Sequence, residues 1–92
     1  MKIKNIFNIT NNQIVIISNN SKIFWSYESQ IAEYKNGVLT LGNDWDYSRT
    51  TMKYLHHFIR NYTPFNYENK KEIEKAIKEK IIKINKNFKC VL

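Results

Sequence analysis

The dipeptide Asn36-Gly37 constrains this chain more than any other feature. Both residue types accept positive φ, which a two-residue type I′ hairpin turn demands, and they stand between two strand-forming runs, residues 31–35 and 38–41. A two-residue loop fixes the register: Lys35 opposite Val38, Tyr34 opposite Leu39, Glu33 opposite Thr40, and Ala32 opposite Leu41. Ala32, Tyr34, Leu39 and Leu41 then share one face, which must be the buried one. Glu33, Lys35 and Thr40 fall on the solvent face.

The chain before this hairpin also reads as β. Residues 13–18 form a β-branched run between Asn11-Asn12 and Asn19-Asn20-Ser21, suited to a strand buried on both faces or central in a sheet. In residues 22–27, Ile23, Trp25 and Tyr27 alternate with Phe24 and Ser26, and Asn19-Asn20-Ser21 reads as a tight hairpin connection to the preceding run. Residues 2–9 offer an additional edge strand with irregular alternation.

After Gly42-Asn43-Asp44 the period changes. Ser48 is placed to cap a helix, with Tyr47 and Met52 at staple positions, and Met52, Leu55, Phe58, Ile59 and Tyr62 recur at spacings of three and four. Pro64 ends this helix near Tyr62. A second helix starts near Asn69, which has capping-box spacing to Glu72, and Ile73, Ala76, Ile77 and Ile81 form its apolar stripe. Its surface offers the i,i+4 pairs Glu74–Lys78, Lys75–Glu79 and Lys70–Glu74. Ile82 falls off the stripe, so the helix is expected to end near Lys80, with residues 81–84 either fraying or turning into a final strand. The expectation is a single α+β domain over residues 1–92: a mainly antiparallel sheet of three to five strands with two helices packed on one face.

With 92 residues there is no room for a doubly wound nucleotide-binding sheet, a TIM barrel or a protein kinase fold. Apolar residues at 42% and charged residues at 25% are ordinary for a folded domain. The single cysteine, Cys90, allows no internal disulfide and reads as a reduced intracellular thiol. No apolar run reaches the roughly 18 residues of a membrane span, and Asn5 and Asn8 interrupt any signal-peptide core, so a cytoplasmic location and no membrane partner are expected. Ile, Lys and Asn dominate the chain, and their AT-rich codons point to an AT-rich genome or its phage, with the host cell's cytoplasm as compartment.

The net charge is +7, from 15 Lys and Arg against 8 Asp and Glu, and part of it follows from that codon bias. The part with positional meaning lies on the first helix. Arg49, Lys53, His56 and Arg60, spaced 4, 3 and 4 residues apart, fall on the flank opposite the apolar stripe, with His57 beside them and no acid from Thr50 to Asn61. Such an edge suits contact with phosphates or an acidic protein surface, against the plain alternative of a solvated helix face. Lys80, Lys83, Lys86 and Lys89 form a diffuse basic tail.

Other chemistry is weaker. Adjacent histidines on a helix diverge by about 100° and cannot chelate together, so His56-His57 is not read as a metal site. Asp44 and Asp46 flank Trp45 just ahead of a helix, where carboxylates favour the helix dipole, and Trp45 is expected to cover one end of the core. Trp25 and Tyr27 with Phe24 are either core or a stacking surface for single strands. No nucleophile–base pair, phosphate loop, metal or cofactor site is recognised, so no catalytic residue is expected.

The stretch Asp46-Tyr47-Ser48-Arg49-Thr50-Thr51-Met52-Lys53-Tyr54-Leu55, with Ser26-Tyr27-Glu28-Ser29-Gln30-Ile31-Ala32 ahead of it, resembles a pattern in a family of small phage and mobile-element proteins. There an aromatic-Ser-x-Thr-Thr-x-Lys/His segment follows a hairpin whose first strand opens with Ser-Tyr. The resemblance spans residues 26–59 and carries no catalytic residues. By size and source the chain also resembles small phage inhibitors of the anti-CRISPR type. Together these imply a non-enzymatic phage-encoded inhibitor that binds a host defence nucleoprotein, its effector protein or its RNA, through Arg49, Lys53, His56, His57 and Arg60. The alternative is a sequence-independent DNA- or RNA-binding accessory protein that contacts the nucleic acid backbone.

Overall fold

Five successive strands, β1 (Asn5–Thr10), β2 (Gln13–Ile17), β3 (Ser21–Ser26), β4 (Ser29–Lys35) and β5 (Val38–Gly42), pair antiparallel, each with the next. The computed structural model describes residues 5–10, 12–27 and 29–86, with residues 5–10 described by their backbone. Two helices follow, α1 (Arg49–Tyr62) and α2 (Lys70–Lys78), and the chain then returns as β6 (Ile82–Asn85), parallel to β5. The α+β class and the mainly antiparallel sheet therefore stand. The sheet has six strands in sequential order, one more than the upper end of the expected range. The open alternative for residues 81–84 resolves as a strand, which begins at Ile82 and runs to Asn85.

The hairpin that anchors the sequence reading has the register its turn dictates. Lys35–Val38, Tyr34–Leu39, Glu33–Thr40 and Ala32–Leu41 are partners, and Asn36 and Gly37 take φ of 54° and 79°. Ala32, Leu39 and Leu41 are fully buried and Tyr34 packs against the core. Between β3 and β4 the register slips by one residue, since Phe24 faces Ala32 while Trp25 faces Gln30. This bulge leaves Ile31 unpaired and turns it inward alongside Ala32, so two consecutive residues of β4 are buried.

Both helices cover the same face of the sheet. Phe24 stacks on Phe58 of α1 with ring centroids 5.7 Å apart, and Phe58 in turn stacks on Tyr62 at 5.7 Å. Leu55, Phe58 and Ile59 of α1, Ile73 and Ala76 of α2, and Ile82 of β6 complete one core with Val15, Phe24 and Leu41, each fully buried large side chain contributing about 1.5–3 kcal/mol. Trp45 is 8% exposed and joins this core, as its place ahead of the helix suggested. Ile14, Ile16, Ile23 and Trp25 lie half-buried on the opposite face, where Ile14 pairs with Trp25 and Ile16 with Ile23.

The helix ends follow from local chemistry. Ser48 Oγ accepts from the Thr51 amide at 3.1 Å, and Asn69 Oδ1 accepts from the Glu72 amide at 3.0 Å. Glu72 Oε1 accepts from the Glu68 amide at 2.7 Å, one residue before the usual capping-box partner. At the end of α1, Lys22 Nζ on β3 donates to the Tyr62 carbonyl at 3.0 Å, bringing a positive charge to the negative end of the helix dipole. At the end of α2, Lys80 N–H bonds Ile77 O and Ile81 N–H bonds Ala76 O, a Schellman arrangement in which Lys80 holds φ 65° where glycine is usual.

Three local expectations are corrected. Tyr47 is 79% exposed, so it does not staple onto Met52; the chain turns through Trp45 and Trp45 takes the buried position. Ile81 is 49% exposed and Ile82 only 1%, because the Schellman stop ends the helical period and strand alternation then turns Ile82 inward beside Leu39. The three i,i+4 charge pairs of α2 are not closed; among the described residues the ion pair within 4 Å joins Lys70 to Asp46 at 3.3 Å, tying the start of α2 to the turn before α1. Cys90, Lys89 and residues 2–4 lie outside the described residues.

Candidate functional site

The amphipathic period of α1 fixes where its polar side chains can go. Thr51, Leu55, Phe58 and Ile59 are buried, so the opposite arc belongs to Arg49, Lys53, His56, His57 and Arg60, which span roughly 100° of the helix circumference. From Arg49 to Arg60 the edge runs about 16 Å along the axis at about 1.5 Å per residue. Arg49, Lys53 and Arg60 are exposed, whereas His56 and His57 are half-buried. The structure thus brings all five predicted binding residues to one face, with two kinds of surroundings.

The three exposed cations have little holding them elsewhere. Lys53 Nζ lies 5.3 Å from the centroid of the Tyr54 ring. The first turn of α1 holds no acidic residue, and Arg49 occupies its first position. A positive charge there opposes the helix dipole, while Arg60 in the last turn is favoured by it. The histidines have internal partners. His56 Nδ1 is 3.0 Å from the Tyr67 carbonyl, joining α1 to the connection that leads into α2, and His57 Nδ1 is 3.3 Å from Asn61 Nδ2.

A second feature escaped the sequence reading. Where β3 and β4 meet the start of α1, an open cleft of about 680 Å³ is lined by the hydroxyl residues Ser26, Ser29, Ser48, Thr50 and Thr51. Tyr27 and Tyr47, 57% and 79% exposed, stand in its wall with Asn12, Ile31 and Asp44. Ser48 Oγ donates to Thr51 Oγ1 at 3.1 Å, and Thr51 Oγ1 is 3.4 Å from Ser26 Oγ, so hydroxyls from two elements are locked together. Behind them Gln13, the register partner of Ser26, is 1% exposed and its carbonyl oxygen Oε1 has no partner among the described residues.

Tyr27 departs from its expected place. Strand alternation would set it beside Trp25, but the chain leaves β3 at Ser26, and Tyr27 takes φ 58° with its N–H bonded to Asn12 O at 2.6 Å. Phe24 is core, and Trp25 lies on the sheet face turned away from the helices, so the three aromatics do not form one stacking surface. Residues from both 26–32 and 46–55, the two segments quoted for the resemblance, contribute to the walls of the cleft. Asp44 is in the cleft while Asp46 pairs with Lys70, so the two carboxylates serve different elements.

A six-stranded sheet with two helices on one face, a basic outer helix edge and a hydroxyl-lined cleft define a small two-layer α+β protein. Residues 1–80 match a family described as a family of unknown function (DUF8033), and the chain belongs to that family. Neither a curated protein nor a solved structure matches the chain. Among the described residues no helix is long and apolar enough to cross a membrane.

Proposed function

We propose that this chain is a non-enzymatic binding protein that docks on a nucleoprotein through the outer edge of α1. The observation that carries the reading is the placement of Arg49 and Lys53: both are exposed, no acid stands in the first turn of α1, and Arg49, which opens that turn, stands where the helix dipole disfavours it. A residue kept for helix stability at that position would be Asp or Glu. Arg60 extends the same edge, and His56 and His57 flank it with partly committed rings. Three cations on a rigid helix form a surface for phosphates or clustered carboxylates.

In its specific form this reading is a phage-encoded inhibitor that occupies a host defence nucleoprotein in the cytoplasm. That form is supported by the resemblance of residues 26–59 and by the size and codon character of the chain. A gel shift with random single- and double-stranded nucleic acid at low salt tests the docking edge. A shift in the native protein that disappears in the Arg49→Glu/Lys53→Glu variant supports it, and a shift of equal strength in both removes the edge from the site.

A further inference from the structure

We propose that the cleft between β3, β4 and the start of α1 receives an unpaired nucleobase carrying an exocyclic amino group, taken from a single strand whose phosphates lie along Arg49 and Lys53. This rests on the reading of α1 as a phosphate-facing helix and adds to it a second, uncharged recognition element. Four observations converge on a base.

The first is shape and surface. An opening of about 680 Å³ with two exposed tyrosines in its wall offers flat π faces, on which any base stacks and which water solvates poorly. The second is hydrogen-bonding character. The hydroxyls and the Asn12 amide both donate and accept, as a base edge requires. Ser26, Ser48 and Thr51 are held by one another, so the polar wall is organised before a ligand arrives.

The third is charge. Among the described residues lining the cleft Asp44 is the charged one, so a phosphate is repelled from it and a neutral group is admitted. A carboxylate acceptor selects an amino group such as cytosine N4 and gives nothing to uracil's carbonyl at the same position. The fourth is continuity. Arg49 sits between Ser48 and Thr50, both cleft residues, so a strand whose base enters the cleft has its phosphate at the start of the basic edge. A neutral saccharide would meet the first two observations, but nothing in its chemistry uses the adjoining cations.

The test is anisotropy of labelled twelve-nucleotide single-stranded RNAs: oligocytidylate, oligouridylate, and an abasic strand of the same length. The proposal expects oligocytidylate to bind the native protein best. Tyr47→Ala weakens that binding roughly 5- to 150-fold, the range for losing one base stack, and Tyr47→Phe restores it. Asp44→Asn removes the preference for cytidine. Tyr47 and Asp44 are exposed, so neither change threatens the fold. Equal binding of all three strands, with no effect of Tyr47→Ala, overturns the cleft assignment and leaves the basic edge standing if Arg49→Glu/Lys53→Glu still weakens binding. Free cytidine supplies the converse arm: if it shifts the amide resonances of Ser48, Thr50 and Thr51 while the charge reversal leaves strand affinity unchanged, the cleft stands and the edge falls. No response to any strand or to cytidine overturns both, as does a response of these amides to a neutral disaccharide but not to cytidine.

Discussion

Ser26 on β3 and Thr51 in the first turn of α1 are 25 residues apart in sequence, and their hydroxyl oxygens approach to 3.4 Å at the buried wall of the cleft. Thr51 also receives a hydrogen bond from Ser48, so one side chain joins the helix cap to the sheet. Thr51→Val keeps the shape but leaves the Ser26 hydroxyl without this partner. The expected cost is about 1–3 kcal/mol in urea unfolding, the range for orphaning a buried polar group. The double variant with Ser26→Ala costs less than the sum of the single changes, because the pair is broken only once.

Lys22 reaches across from β3 to the last carbonyl of α1, where a hydrogen bond and a favourable charge–dipole interaction coincide. Lys22→Met retains most of the apolar stem and removes both. A loss of about 1–2 kcal/mol is expected in thermal or denaturant unfolding, with the native circular dichroism spectrum unchanged at room temperature.

Lys80 is the opposite case, a residue at odds with its backbone. Its φ of 65° lies in the region glycine tolerates best, and its N–H closes the Schellman turn that releases the chain into β6. Lys80→Gly relieves that strain, offset in part by the greater freedom of glycine in the unfolded chain. A net gain of up to ~1 kcal/mol is expected, seen as a higher unfolding midpoint without a change in m-value.

Tyr67 gives the alkaline limb a definite sign. Burial, with the carboxylate of Glu79 as the lesser cause, raises its phenol above the usual value of 10.0. The fold therefore favours the neutral phenol, and the stability linked to it is present below pH 10.0 and lost as pH rises through the raised value. Tyr67→Phe should show a shallower loss of stability above pH 10 in a pH series of thermal melts. An unchanged alkaline slope would contradict the linkage.

These features differ in how far the residues announced them. The Asn36-Gly37 hairpin was legible down to its register because turn type and side-chain alternation both act over a few residues and agree. The caps Ser48 and Asn69 and the stop before Pro64 are local in the same way. The basic edge of α1 followed from helical period alone. The exchange of Ile81 for Ile82 did not, because both fit an apolar stripe until Lys80 enters the left-handed region. Least visible was the cleft. Its wall gathers Asn12, Ser26 and Thr51 from separate elements, and sheet register, not any local period, sets their proximity. The staple spacing of Tyr47 to Met52 misleads in another way: it fits the local pattern, but Trp45 holds the buried place.

A phosphate-facing α1 makes RNA affinity depend on salt through the charges of Arg49 and Lys53. Affinity for a single-stranded twelve-nucleotide RNA is measured across a salt series for the native protein and for Arg49→Glu/Lys53→Glu. Each phosphate that a cation no longer neutralises makes the slope of log K against log salt shallower by about 0.7, so the reversal should flatten it by roughly 1.4 and weaken binding at every salt concentration. Replacing Arg49 by Glu also puts an acid at the start of the helix, so the variant should melt no lower than the native protein. A weaker, flatter binding curve in a protein of equal or greater stability is the predicted result; the same slope and affinity in both proteins would contradict it.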